Sequence, residues 1–131
     1  EEDKEYVLAK QKEILAQIIP LYRRLQEKGR IEITTTPFYH PILPLLCDTS
    51  VAKISSPALP LPKKRFRHPE DAAWQIEEAI KYHTEQFGIS PRGMWPSEGS
   101  VSDEVLDLLI AKGIDWVATD EDILFNSHSC S

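Results

Sequence analysis

The sequence RGMWPSEGSVSDEVLDLLIAKGIDWVAT, residues 92–119, contains the pattern that decides the fold. Residues 92–95 are typical of a short strand, residues 101–112 repeat apolar side chains at helical spacing, and residues 115–119 are again typical of a strand. Ser100 is the predicted N-cap of this helix, and Gly113 is its predicted end. A strand, a helix and a strand in close succession predict two parallel strands joined by a right-handed crossover.

The residues upstream continue the same alternation. We predict a helix over residues 4–28, split or kinked near Ile19 by Pro20, then a β-branched strand over residues 30–36 and a second helix over residues 69–87. Pro69 suits the first position of that helix, and Gly88 suits its end. The sequence therefore predicts an α/β protein in which parallel strands alternate with helices.

A long proline-rich segment, residues 37–68, separates the first predicted strand from the second long helix. A loop of this length is unusual in a compact domain and is often functional. We expect it to include a short helix at residues 42–47.

The composition excludes several kinds of partner. The chain has 131 residues, enough for one domain, and a formal net charge of -6, which argues against binding to nucleic acid or to acidic membranes. No apolar run approaches the roughly 20 residues of a membrane span, and no secretory leader is visible. We expect a cytoplasmic protein. The start EEDKEY has no initiator methionine, which indicates a piece of a longer protein.

The two cysteines, Cys47 and Cys130, are too far apart in sequence for a metal-binding or redox motif. We expect free thiols rather than a disulfide in this compartment.

Polar and aromatic residues follow each predicted strand, where the chain reads TTPFYH, WPSEG and TDED. Because the working residues of parallel α/β proteins collect at the carboxyl ends of strands, we expect these segments to meet at one edge of the sheet. Aromatic rings stack on the apolar faces of sugars, and carboxylates bind hydroxyl groups or attack an anomeric carbon. The sequence therefore favours a sugar site, with the candidates Tyr39, His40, Trp95, Glu98 and Asp120.

The same residues also have ordinary structural explanations. The dipole of the following helix would favour Glu98, a tryptophan such as Trp95 often belongs to a core, and Asp120 could be a solvated loop charge. His83 lies on the apolar face of the helix over residues 69–87, where a half-buried structural histidine is expected. Residue types alone leave both explanations open.

Two segments resemble glycoside hydrolase family 57: TTTPFYHPILPLLCD, residues 34–48, and FGISPRGMWPSEGSVSDEVLDLLIAKGIDWVATDEDIL, residues 87–124. The resemblance implies part of an incomplete seven-stranded (β/α) barrel and a retaining enzyme that acts on α-glucans without a cofactor. It implies that Glu98 is the catalytic nucleophile, that His40 lines the sugar site and that Trp95 is the aromatic residue of the motif. It also places the acid/base aspartate beyond Ser131. The form SEGSVS favours a hydrolase over a branching enzyme.

Two other functions stay open beside this one. A metal-dependent polysaccharide deacetylase of a related barrel would need an aspartate and two histidines around a metal, but the histidines here lack the close spacing, so no metal site is predicted. The other alternative is a non-catalytic carbohydrate-binding or structural module. As part of a glycoside hydrolase, the isolated chain is expected to be inactive, because one carboxylate cannot supply both catalytic roles. We also expect it to self-associate through its open sheet edges.

Overall fold

A computed structural model, which describes residues 1–128, shows helices alternating with two very short strands. Single 3₁₀ turns lie at Thr49–Val51 and Ser97–Gly99. The helices and strands are α1 (Glu2–Glu27), α2 (Leu43–Cys47), α3 (Ala52–Ser55), α4 (Pro69–Phe87), β1 (Gly93–Met94), α5 (Asp103–Ala111), β2 (Trp116–Val117) and α6 (Glu121–His128). Within residues 1–128, no helix combines the length and the hydropathy needed to cross a bilayer.

The two strands pair in parallel, as the sequence predicts. Gly93 lies opposite Trp116 and Met94 lies opposite Val117, with α5 in the connection between them. On the other side of β1, Thr35 forms a single parallel bridge with Met94. Three chain segments therefore run side by side in the same direction. The loops that follow them begin at the same edge of the sheet.

The predicted strands are longer than the observed ones, and the strand over residues 30–36 is wrong except at Thr35. The backbone N–H of Ile33 donates to the side chain of Gln26 at 3.0 Å, so this part of the segment bonds to the end of α1 and not to a neighbouring strand. In the second predicted strand, Pro96 has no N–H to continue the pairing beyond Trp95.

Two predictions about helices also need correction, and one helix had no counterpart among the predictions. Pro20 does not split α1, which continues from Glu2 to Glu27, since proline removes only its own N–H donor and the neighbouring turns keep theirs. The N-cap of α5 is Ser102, whose Oγ accepts from the Val105 N–H at 3.4 Å. The side chain of Ser100 donates to the Ser97 carbonyl at 2.7 Å and so belongs to the preceding loop. Helix α6 was not predicted.

The core lies between α4, α2, α5 and β1. Helix α4 begins at Pro69 and ends at Phe87 as predicted, and Gly88 follows it with φ +83°. None of the residues of α1 is buried. The buried apolar residues are Leu43, Cys47, Ala72, Ile76, Ala79, Met94, Val105, Leu109 and Ile114. This core supports β1 from one side, and β1 leads directly into the loop that contains Glu98.

Cys47 is buried in this core as a free thiol, and burial raises its pKa to about 11. Cys130 lies outside the described residues, so the expectation about a disulfide stays a prediction.

The long segment at residues 37–68 is held by an ion pair between Asp48 and Arg65. The buried Asp48 carboxylate accepts from Arg65 Nε at 2.9 Å, accepts from a second guanidinium nitrogen, and also accepts from the Ser50 N–H at 2.9 Å. Two backbone bonds close the same segment, from Thr49 to the Phe66 carbonyl at 3.1 Å and from His68 to the Leu46 carbonyl at 2.8 Å. The segment is thus ordered and contains α2, a 3₁₀ turn and α3.

Because of this ion pair, we expect the free energy of unfolding to depend on pH. The hydrogen bond from Arg65, followed by that from Ser50, holds the pKa of Asp48 well below its usual range. A lowered pKa in the folded state contributes stability that is fully present above the unfolded pKa of about 4 and is lost as the pH falls below it. We expect Asp48→Asn to weaken the acid dependence of the free energy of unfolding, measured by denaturant titration between pH 7 and pH 2. Asp107→Asn, at an exposed position of α5, is the control. An unchanged acid dependence in Asp48→Asn would contradict the prediction.

Candidate active site

The loop after β1 presents Glu98 from a tight and largely buried turn. Pro96 and Ser97 are buried, and the Gly99 N–H donates to the Pro96 carbonyl at 2.8 Å. The Ser97 carbonyl accepts from both the N–H and the Oγ of Ser100, at 3.1 and 2.7 Å. The Glu98 side chain, in contrast, is 75% exposed. The turn therefore fixes the backbone on both sides of a carboxylate that faces solvent.

The neighbouring chain segments hold this loop at its two ends. The Trp95 N–H donates to the Thr35 carbonyl at 2.8 Å, and the Thr119 hydroxyl donates to the Gly99 carbonyl at 2.6 Å. Gly99 has φ +64°, a conformation that glycine adopts without strain, and it lies against the backbone of Thr119 and Asp120. The loop is thus positioned by both of the segments that flank β1.

A cleft of about 430 Å³ opens at this edge of the sheet. It brings together four of the five predicted site residues, His40, Trp95, Glu98 and Asp120, although they come from three separate segments. Ala118 is the lining residue that sequence reasoning missed, because an alanine has no chemical signal. The full lining is His40, Trp95, Glu98, Gly99, Ala118, Thr119 and Asp120.

His40 and Glu98 face each other in this cleft with an unusual backbone. Nε2 of His40 lies 3.6 Å from Oε1 of Glu98. Apart from glycines, only these two among residues 1–128 have positive φ, +58° for His40 and +55° for Glu98. Such backbone strain costs about 1–3 kcal/mol per residue and clusters at functional sites. No sequence signal indicated it, since neither residue type is one that requires this conformation.

The surroundings of the other three predicted residues differ. Oδ1 of Asp120 accepts from the Asp122 N–H at 2.9 Å, as expected for a residue at the start of α6, so Asp120 has a structural role as well as a place in the cleft. Trp95 is 54% exposed and is not a core residue. Tyr39 does not line the cleft; its ring packs against Phe38 and Trp74.

The described residues offer Glu98 as an exposed carboxylate on a backbone turn that its neighbours hold in place, which suits attack on an electrophilic carbon. In the part of the chain that the structure describes, no three His, Cys, Asp or Glu side chains are grouped to hold a metal ion. His83 is buried in α4 against Phe87, and burial lowers its pKa. His68 pairs with Glu70 at 2.8 Å.

Comparison with known proteins finds one matching family and two similar proteins. The model of glycosyl hydrolase family 57 matches residues 4–131. The chain is 28% identical over 102 residues to alpha-amylase 1 of Dictyoglomus thermophilum, and 30% identical over 103 residues to a 4-alpha-glucanotransferase of Thermococcus kodakarensis. These matches cover 78% and 79% of this chain but only 12% of each relative. No solved structure matches the chain significantly.

Proposed function

Because the chain belongs to glycosyl hydrolase family 57, we propose that it is part of the catalytic domain of a retaining enzyme that hydrolyses or transfers α-glucans, with Glu98 as the nucleophile. The observation that carries the proposal is the position of Glu98. Its carboxylate is exposed in a cleft at the ends of parallel strands, on a strained backbone, 3.6 Å from His40. The names of the two relatives, an amylase and a glucanotransferase, support an α-glucan as the substrate.

The proposed reaction has two displacements. The Glu98 carboxylate attacks the anomeric carbon of the glucosyl unit, and the bond to the leaving oxygen breaks while a second carboxylic acid gives that oxygen a proton. The second group, now a carboxylate, then removes a proton from water or from a sugar hydroxyl, which attacks the anomeric carbon and releases Glu98. Water gives hydrolysis, and a sugar acceptor gives transfer.

The described residues have specific tasks in this reaction. The hydrogen bonds from Gly99 and Ser100 back to Pro96 and Ser97 hold the turn, so the backbone that carries Glu98 does not have to be ordered at the moment of attack. We assign His40 and Trp95 to sugar binding. Asp120 is assigned to sugar hydroxyls and not to acid catalysis, since the resemblance to the family places the acid/base aspartate later in the chain. We propose that the acid/base aspartate lies beyond Ser131.

We further propose that the parallel pair of β1 and β2, with the bridge at Thr35, is part of a seven-stranded (β/α) barrel. Thr35 and β2 would each pair with a further strand. The isolated 131 residues would then be inactive, because one carboxylate cannot act as both nucleophile and acid. They would also self-associate through these edges.

Covalent trapping in the full-length protein tests this proposal. A 5-fluoro-α-glucosyl fluoride has a good leaving group, and its fluorine at C5 slows the breakdown of the glucosyl-enzyme ester, so the intermediate accumulates. We expect mass spectrometry of a protease digest to find one added fluoroglucosyl group, attached at Glu98 by an ester. Glu98→Gln should remove the label, and Glu121→Gln, at an exposed position just outside the cleft, should retain it. A label on a different carboxylate would disprove the assignment of Glu98.

A further inference from the structure

An exposed aromatic pair lies beside the cleft and is not explained by the reaction itself. Tyr39 directly precedes the cleft residue His40, and its ring lies 6.1 Å from the ring of Trp74 on α4, with an angle of 31° between the two planes. Tyr39 is 72% exposed and Trp74 is 45% exposed. Large aromatic side chains bury 150–250 Å² when they are covered, so leaving two of them together in water is unfavourable unless something packs on them.

We propose that Tyr39 and Trp74, here called the aromatic platform, bind the part of an α-glucan chain that extends beyond the cleft. This inference rests on the proposed function and adds to it a preference for long substrates. The apolar C–H faces of successive glucose units would stack on the two rings, while the reacting unit occupies the cleft next to His40. Tyr39 and His40 are consecutive, so one residue of the platform is joined directly to a residue that lines the cleft.

The aromatic platform is ordered before any ligand binds. Phe38 packs edge-on against both of its rings, at 4.7 Å from Tyr39 and 6.1 Å from Trp74. The side-chain oxygen of Gln75 accepts from the Tyr39 N–H at 2.8 Å. The backbone carbonyl of Gln75 accepts from the Phe38 N–H at 3.2 Å. These contacts fix the loop to α4, so a ligand would not have to order it, which lowers the entropic cost of binding.

The surroundings of the platform favour a sugar over an apolar protein segment. Asp71, also exposed, lies three residues before Trp74 and therefore on the same face of α4. Carboxylates at the border of aromatic rings can accept hydrogen bonds from sugar hydroxyls. A purely apolar partner that covered the Asp71 carboxylate would instead leave it without hydrogen bonds.

Substrate length provides the test in the full-length protein. We would measure kcat/KM for a seven-unit and a three-unit α-1,4-glucan and take their ratio. We expect Trp74→Ala to lower this ratio about tenfold, the size of one lost stacking contact. Trp74→Tyr, which keeps an aromatic face, should restore most of it. Tyr6→Ala, at an exposed tyrosine of α1, is the control and should leave the ratio unchanged.

The possible outcomes separate the two proposals. A wild-type enzyme that acts on α-glucans with a ratio unaffected by Trp74→Ala would disprove the platform alone. An equal fall for both substrates, or a lower Tm with an unchanged ratio, would mean that another protein segment packs on Trp74, and would also disprove it. A wild-type enzyme that acts on neither glucan would disprove the proposed function and the platform together. If Trp74→Ala does not fold, Tyr39→Ala should show the same fall in the ratio.

Discussion

Replacing Glu98 by alanine in the full-length protein is expected to lower α-glucan turnover by roughly 10⁴-fold or more, the scale seen when a nucleophile is removed. The loss should appear in kcat, because the carboxylate forms its bond to sugar only during the reaction. The fold should be retained, since the Glu98 side chain is 75% exposed and its removal leaves no cavity.

Azide should then restore part of the activity of Glu98→Ala. The missing carboxylate leaves space for a small anion on the face of the sugar from which Glu98 attacks. With an activated α-glucosyl donor, whose leaving group needs no proton, azide can attack the anomeric carbon directly. The expected product is a β-glucosyl azide, identified by its anomeric proton in NMR.

Glu121→Ala is the matched control for this experiment. It removes an exposed glutamate at the start of α6, outside the lining of the cleft. We expect activity within a factor of about two of the wild type, as for surface substitutions in general. Unchanged turnover in Glu98→Ala would mean that the loop has only a structural role.

The second large effect concerns stability. Ile76 is fully buried in α4, where it packs in the core with Met94 of β1 and Leu109 of α5. We expect Ile76→Ala to lower the free energy of unfolding of this domain by about 2–5 kcal/mol, through lost apolar burial and the cavity that remains. Denaturant unfolding of the full-length protein, followed by circular dichroism, measures the change.

The chain offers the same substitution at an exposed position. Ile110 in α5 is 70% exposed, and Ile110→Ala should change the free energy of unfolding by less than about 0.5 kcal/mol. Equal effects at the two positions would show that the packing around α4 differs from the structure described here. Glu98→Ala and Ile76→Ala should thus affect different properties, the first turnover and the second stability.

Sequence patterns predicted the helices better than the strands, for a physical reason. The bounds of α4 follow from local signals, Pro69 at its start and Gly88 after its end, and both act within one turn of the chain. The β-branched residues at 30–36 are equally typical of a strand, but a strand exists only where a neighbour supplies hydrogen bonds. Only Thr35 has such a neighbour among the described residues.

Sequence patterns predicted which residues belong to the site better than they predicted where the side chains point. The rule that working residues follow parallel strands led to His40, Trp95, Glu98 and Asp120, which do share one cleft. It could not distinguish Tyr39 from His40, because adjacent residues of a loop can point to different surfaces. The sequence pattern also did not predict α6, because this short helix has a weak apolar pattern beside two acidic residues.

The positive φ of Glu98 implies a conflict between two kinds of selection. A glycine at this position would adopt φ +55° without strain and would make the turn easier to form. Selection for heat resistance alone would therefore favour Glu98→Gly, and the same reasoning holds for His40 at φ +58°. Laboratory evolution of this protein toward higher Tm should accordingly include a screen for activity, because at these two positions the more stable residue is the one without a functional side chain.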